Sequence, residues 1–164
     1  MLQICPARSE DAEAAFDIRR EAIRHQCASV YTNEQVMAWT SMSLTEGYRA
    51  SVQALYHLAW QEGVAVATGF IDFESGEVGA LFVRPDFMGQ GIGLRMLDYL
   101  EQLARDAGLA EVHLEATLNA AAFYRRRGFV GDTQAVYQSP YGVQLACVPM
   151  RKPLIGHNAL LNSP

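Results

Sequence analysis

The sequence of 164 residues predicts an α/β fold of the α+β type: a mixed, mostly antiparallel central sheet with helices on both faces. Three observations predict it. Residues 54–85 read as three strands in a meander, broken by turn pairs at Glu62-Gly63 and Ser75-Gly76. A strand, helix, strand crossover follows over residues 79–117, which requires one parallel, right-handed pairing. Helical segments precede the meander and a last hairpin follows it, so the order is β-α-α-β-β-β-α-β-α-β-β.

Each element has a local reason. Residues 2–7, "LQICPA", form a short strand that Pro6 confines to a sheet edge. Ser9 is the expected cap of a first helix with acids early and arginines late, and Ala12, Phe16, Arg19, Ile23 and Cys27 approximate one face. Thr32 and Gln35 have capping-box spacing ahead of a short helix carrying Val36 and Trp39. Residues 44–54 also read as helical, although the order above does not count them. After the meander, Ile92, Met96, Leu97, Leu100, Leu103, Ala104 and Ala107 recur at helical spacing and Gly108 closes the helix. "AEVHLEAT" is the next strand, and "NAAAFYRRRG" is a short helix ended by Gly128. Residues 129–153 read as a hairpin turning near Pro140 to Gly142. The predicted organisation is one domain over residues 1–154 and a tail over 155–164, with no repeat, low-complexity segment or linker.

Composition narrows the function classes. Half of the residues are hydrophobic and 19% are charged, so the chain buries a core and is not disordered. Net charge is −5, and Lys152 is the only lysine among 13 basic residues, which argues against a broad nucleic-acid surface. Cys5, Cys27 and Cys147 are odd in number and widely spaced, which fits a reducing compartment rather than a disulfide framework. With no charged leader before an apolar run and no apolar stretch near 20 residues, the expectation is a soluble, cytoplasmic protein that engages neither membrane nor nucleic acid. The four histidines share no metal spacing, so no metal is expected. His113-x-Glu115 lacks the Pro-Cys-x-x-Cys of a zinc deaminase, and His25 and Cys27 lie at an offset that turns them to different helix faces.

The stretch "GALFVRPDFMGQGIGLRML", residues 79–97, carries the chemistry. Gly89, Gly91 and Gly93 join a strand to a helix. Such a junction is either a tight connection or a concave loop whose N–H groups, with the helix N-terminus, form an anion site. A P-loop needs Gly-Lys-Ser/Thr, which is absent, and the Rossmann pattern fails because Leu94 stands where glycine is required. The stretch Met88-Gly89-Gln90-Gly91-Ile92-Gly93 resembles the coenzyme A loop Gln/Arg-x-x-Gly-x-Gly/Ala of the GNAT N-acetyltransferase superfamily. "NAAAFYRRRGF" resembles that family's later segment, with Asn119, Ala120, Phe123, Tyr124, Gly128 and Phe129 in the family's order, and the resemblance extends over roughly residues 2–154. Met88 departs from the pattern, which usually has Gln or Arg there. Gln90 is the candidate for part of that role.

The resemblance implies a GNAT-like fold and an acetyl transfer from acetyl-CoA, as cosubstrate, to a primary amine by direct attack. It implies that the loop from Met88 to Leu94 (Gly89, Gln90, Gly91, Ile92 and Gly93 between them) holds the pyrophosphate. Leu81, Phe82 and Val83 would lie against the pantetheine arm and thioester, with Asn119, Phe123 and Tyr124 also on the cofactor. Tyr124 stands where many members carry the tyrosine that protonates the thiolate; the alternative is a tyrosine packed by its ring. The general base is open among Glu115, His113, Asp72 and Glu77, with Glu115 preferred. The segment "RHQCASVYTNEQVMAW" resembles that of a GNAT subgroup and supplies His25, Tyr31 and Trp39 toward the acceptor. For Trp39 a core position, and for His25 a helix-surface position, are the competing readings. Arg125 to Arg127 are either phosphate contacts or a solvated helix end. The acceptor is a small-molecule or peptide amine, and the resemblance makes a homodimer plausible. Rival functions are transfer of a longer acyl group and a non-catalytic acyl-CoA sensor.

Overall fold

The computed structural model describes residues 1–139 and 142–154. In chain order its elements are β1 (Leu2–Pro6), α1 (Ala12–Gln26), α2 (Asn33–Thr40), α3 (Glu46–Leu55), β2 (Tyr56–Gln61), β3 (Val64–Asp72), β4 (Glu77–Val83), α4 (Ile92–Asp106), β5 (Glu111–Thr117), α5 (Ala121–Arg126), β6 (Ala135–Gln138) and β7 (Gln144–Pro153). The strands form one sheet in the order β1-β2-β3-β4-β5-β7-β6, antiparallel except between β4 and β5. This is the mixed, mostly antiparallel sheet that the turn pairs and the crossover predict. Its helix count exceeds the predicted order by α3, whose Thr45 cap accepts from the Tyr48 N–H.

Local chemistry explains the ends. Thr32 and Gln35 form a reciprocal capping box at α2, at 3.1 and 3.0 Å. At α1 the expected cap, Ser9, instead lies inside a 3₁₀ turn, Ser9–Asp11, and the carboxylate of Asp11 accepts from the Arg8 N–H at 2.8 Å. An aspartate at the end of that turn reaches back further than a serine at its start. Pro6 lies on the edge strand β1, as its missing donor requires. The hairpin β6–β7 forms, but Pro140 of its turn, and residues 155–164, lie outside the described residues.

Helices cover both sheet faces. Leu58 packs with Ala12, Phe16, Ile18, Tyr48 and Val52 of α1, its approach and α3, whereas its neighbour Ala59 packs with Met96, Leu97 and Leu100 of α4. Alternation along a strand sends neighbours to opposite faces, so these are two separate cores. Burying such side chains is the main favourable contribution to folding.

One irregularity positions the site. Phe70 of β3 pairs with Gly79 and Thr68 with Phe82, so Ala80 and Leu81 of β4 stand against Gly69 alone. Ala80 takes the left-handed conformation at φ 47°, and the buried Thr68 hydroxyl donates to its carbonyl at 2.6 Å. On its other side β4 pairs with β5 only at Glu77↔His113. Beyond that point the two parallel strands part.

Candidate active site

The parted strands open two adjoining cavities. The smaller, about 90 Å³, lies between the end of α1, β4, β5 and the start of α5, and is lined by Gln26, Leu81, Phe82, Glu115, Asn119 and Tyr124 among others. The larger, about 620 Å³, reaches from β4 and β5 toward α2, α3 and β6, and includes Tyr31, Trp39, Glu77 and Glu115. Val78, Gly79, Ala80, Phe82, Glu115 and Thr117 line both, so the cavities meet where the strands separate.

The glycine loop lies between β4 and α4. Gly89 and Gly91 have φ of 80° and 77°, and a Cβ at either would meet nothing within 4 Å. Gly91 is the N-cap of α4 and no side chain caps the helix, so the first-turn N–H groups of Ile92, Gly93 and Leu94 remain available. The first turns of α1, α2 and α3 each contain a glutamate; that of α4 contains no acid. An uncapped, acid-free helix start behind an open glycine loop fits a phosphate group, so these residues suit the pyrophosphate of a coenzyme A. Gly93 stands beside Val83, its would-be Cβ 3.6 Å from that side chain. Met88, at the pattern's departure, accepts through Sδ from the Gln26 amide at 3.4 Å. Gln26 also lines the smaller cavity, so α1 brings an amide to the loop that the sequence does not place there.

At the other end of the smaller cavity, Tyr124 is buried and packs edge-on against Phe123 and Phe129, with centroids 5.2 and 5.5 Å away. Burial pushes its phenol well above the ordinary range. It is therefore protonated at every working pH. Asn119 accepts from the Cys27 thiol at 3.5 Å, and burial raises that thiol to about 11, keeping it neutral.

The larger cavity holds Tyr31 and Trp39, ring to ring at 6.0 Å. The Tyr31 hydroxyl donates to the Ala146 carbonyl at 2.6 Å and accepts from the Leu118 N–H at 3.1 Å, tying α1's end to β7 and to the end of β5. His25 is exposed on α1 and lines neither cavity. Of the four candidate bases, Glu115 sits at the junction and Glu77 in the larger cavity, while His113 is bonded to the Ser75 carbonyl at 3.0 Å and Asp72 caps the β3–β4 turn through the Glu74 N–H. Burial raises the Glu77 carboxyl, Glu115 and Asp72 add to the rise, and His113 opposes it. Arg125 bonds the Gly131 carbonyl at 3.2 Å, and Arg126 and Arg127 are exposed. Sequence reasoning missed Arg19, Tyr48, Tyr56, Phe70 and Tyr137 in the larger cavity, because each reads as an ordinary core or strand residue. Among the described residues, no three His, Cys, Asp or Glu side chains are grouped to hold a metal, and no helix is long and apolar enough to cross a membrane.

An open glycine loop at the carboxyl end of a strand, with a larger cavity beside it across a strand split, is the arrangement in which mixed α/β folds bind ligands. The chain belongs to the acetyltransferase family described as the Acetyltransferase (GNAT) domain, which matches residues 27–154. It is 36% identical over 104 residues to an IAA acetyltransferase of Azospirillum brasilense; the match spans 59% of this chain and 66%, just under two thirds, of that relative. A solved GCN5-related N-acetyltransferase of Rhodopseudomonas palustris superposes with a TM-score of 0.84 at 29% identity, covering 92% of this chain and 94% of that one. The PaiA N-acetyltransferase of Thermoplasma acidophilum, solved with coenzyme A, shares the fold at a TM-score of 0.67 and 20% identity, over 93% of this chain and 99% of its own.

Proposed function

We propose that the protein is an N-acetyltransferase that moves the acetyl group of acetyl-CoA to a primary amine by direct attack, without a covalent enzyme intermediate. The observation that carries this reading is the meeting of the two cavities at Glu115 and the parted β4 backbone. Acetyl-CoA, when bound, supplies the activated acetyl thioester. Gly89 to Leu94 hold its phosphates by main-chain N–H groups and the α4 dipole, and Leu81, Phe82 and Val83 present the parted strand to its arm. Asn119 lines that cleft, whereas Phe123 lines neither cavity and packs edge-on against Tyr124.

Glu115 takes the proton of the incoming amine, directly or through water, and passes it to solvent at the cavity junction. Tyr124 gives a hydrogen bond, then a proton, to the departing sulfur; its raised phenol is a weaker acid but a constant donor. As the N–C bond forms and the C–S bond breaks, nitrogen loses one proton to solvent by way of Glu115, sulfur gains one from Tyr124, and solvent returns one to the Tyr124 phenolate, so the protons balance over the cycle. The free cysteines among the described residues suit a reducing, cytoplasmic setting.

The test follows thiol release with acetyl-CoA and a panel of amines. Tyr124→Phe is expected to lower kcat by about 100-fold or more, the range of positioned proton donors, with KM for acetyl-CoA little changed. Equal turnover would remove Tyr124 from the mechanism. Coenzyme A binding with no thiol release on any amine would refute the transferase reading.

A further inference from the structure

The larger cavity is lined by more rings than an amine alone requires. Tyr48 of α3 stands edge-on to Tyr56 of β2 with centroids 5.9 Å apart, and Tyr56 stacks on Phe70 of β3 at 5.7 Å with planes 28° apart. Tyr31 and Trp39 supply a second pair from the α1–α2 side, and Tyr137 comes from β6. Six elements or connections thus converge on one space of about 620 Å³, within the range that encloses a drug-sized molecule. Rings held by one another lose little freedom on binding, and they favour a flat apolar guest in stacked or edge-on contact.

The polar groups sit toward the strand split. Glu77 pairs in register with His113, which places Glu115 one step further along the neighbouring strand on the same face. Two carboxylates that repel across a partly buried space are relieved by a cation between them. Burial and the neighbouring acids hold the Glu77 carboxyl above its ordinary value, and an ammonium there favours its charged form. Arg19 also lines the cavity, and its Nη2 donates to the Trp39 carbonyl at 3.0 Å, which fixes the end of α2.

We propose that the acceptor is an aromatic primary amine without a carboxylate, of the arylalkylamine class, its ring among Tyr48, Tyr56, Phe70, Trp39 and Tyr137 and its amine at Glu77 and Glu115. The proposal rests on the acetyl-transfer reading above and narrows it. A linear polyamine would leave the aromatic walls unused, and an amino acid would bring its carboxylate toward two like charges.

The experiment measures kcat/KM by thiol release for phenethylamine, tyramine and tryptamine. Hexylamine and spermidine serve as aliphatic controls, and phenylalanine, tyrosine and tryptophan as carboxylated ones. The expected result is at least a tenfold advantage for the arylalkylamines, about 1.4 kcal/mol of discrimination. In Tyr56→Leu the advantage over hexylamine shrinks several-fold, and Glu77→Gln raises the amine KM while sparing coenzyme A binding. Aliphatic or amino-acid acceptors used equally well would overturn the arylalkylamine assignment and leave acetyl transfer standing. Calorimetric binding of coenzyme A with no thiol released on any of these amines would overturn both.

Discussion

Removing one hydroxyl, in Tyr31→Phe, tests how the site is held open. The ring stays, with its edge-on contact to Trp39, so no cavity forms and the apolar contribution is unchanged. What is lost is the bond to the Ala146 carbonyl and the bond from the Leu118 N–H, in a side chain 7% exposed. A net hydrogen bond contributes about 1 kcal/mol and an orphaned buried partner costs about 1–3 kcal/mol, so the expected loss is about 3 kcal/mol. For a chain of this size each kcal/mol shifts Tm by about 2–4 °C, which gives a fall of about 6–12 °C by circular dichroism. Because both lone pair and proton are already used within the protein, the acceptor KM measured well below Tm should change little. A Tm lowered by less than about 2 °C would refute the latch, and an unchanged Tm with a raised acceptor KM would return the hydroxyl to substrate contact, as the sequence alone suggested.

Three further perturbations probe other parts. Gly91→Val puts a β-branched side chain at φ 77° in the open loop and should weaken coenzyme A binding by about 100-fold or more in calorimetry, about 2.7 kcal/mol; unchanged affinity would remove the loop from phosphate binding. Lys152→Met strips the 2.6 Å partner from Glu101, which is 2% exposed and keeps only Arg105 at 3.5 Å, and should cost about 3 kcal/mol in urea unfolding. The double variant with Glu101→Gln should recover most of it, and no recovery would mean that the lysine acts by packing alone. His57 is held neutral by burial beside the Tyr99 hydroxyl, with its folded pKa below the ordinary value. Its contribution is therefore present above about pH 6.5 and lost as pH falls through the folded pKa. His57→Gln should flatten the Tm–pH curve on the acid side of about pH 6.5, and identical curves would exclude His57 as its source.

The elements that sequence made legible are those with a local cause. Glu62-Gly63 and Ser75-Gly76 turn the meander where the side-chain-free residues allow positive φ, and the glycine loop announces itself by spacing. The α3 helix is legible as a helical stretch over residues 44–54, although the predicted order does not count it, and Thr45 is its cap. The glycine loop and Tyr124 each lie in one short segment, so a pattern within that segment can single them out. The larger cavity is lined by Tyr48, Tyr56, Phe70 and Tyr137, on four elements spread over 90 positions of chain, and no pattern in one segment links them. His25 failed to reach the cavity for a related reason: it lies near Cys27 in sequence, but helix geometry turns it outward.

The parting of β4 and β5 is where these two sides depend on each other. Nothing in "EVGALFV" marks Ala80 for a left-handed conformation, which costs a non-glycine residue about 1–3 kcal/mol. The Thr68 hydroxyl, 1% exposed, offsets part of that cost by taking the Ala80 carbonyl, and the extra residue it stabilises bends β4 away from β5. A straight β4 would continue its pairing with β5 and close both cavities at once, since Gly79, Ala80 and Phe82 line each of them. The strained residue is therefore not separable from the cavities: the same bulge that exposes β4 backbone to the smaller cavity also sets the floor of the larger one. On the proposed reading, that shared origin is what lets amine and thioester meet at Glu115, where the two cavities join.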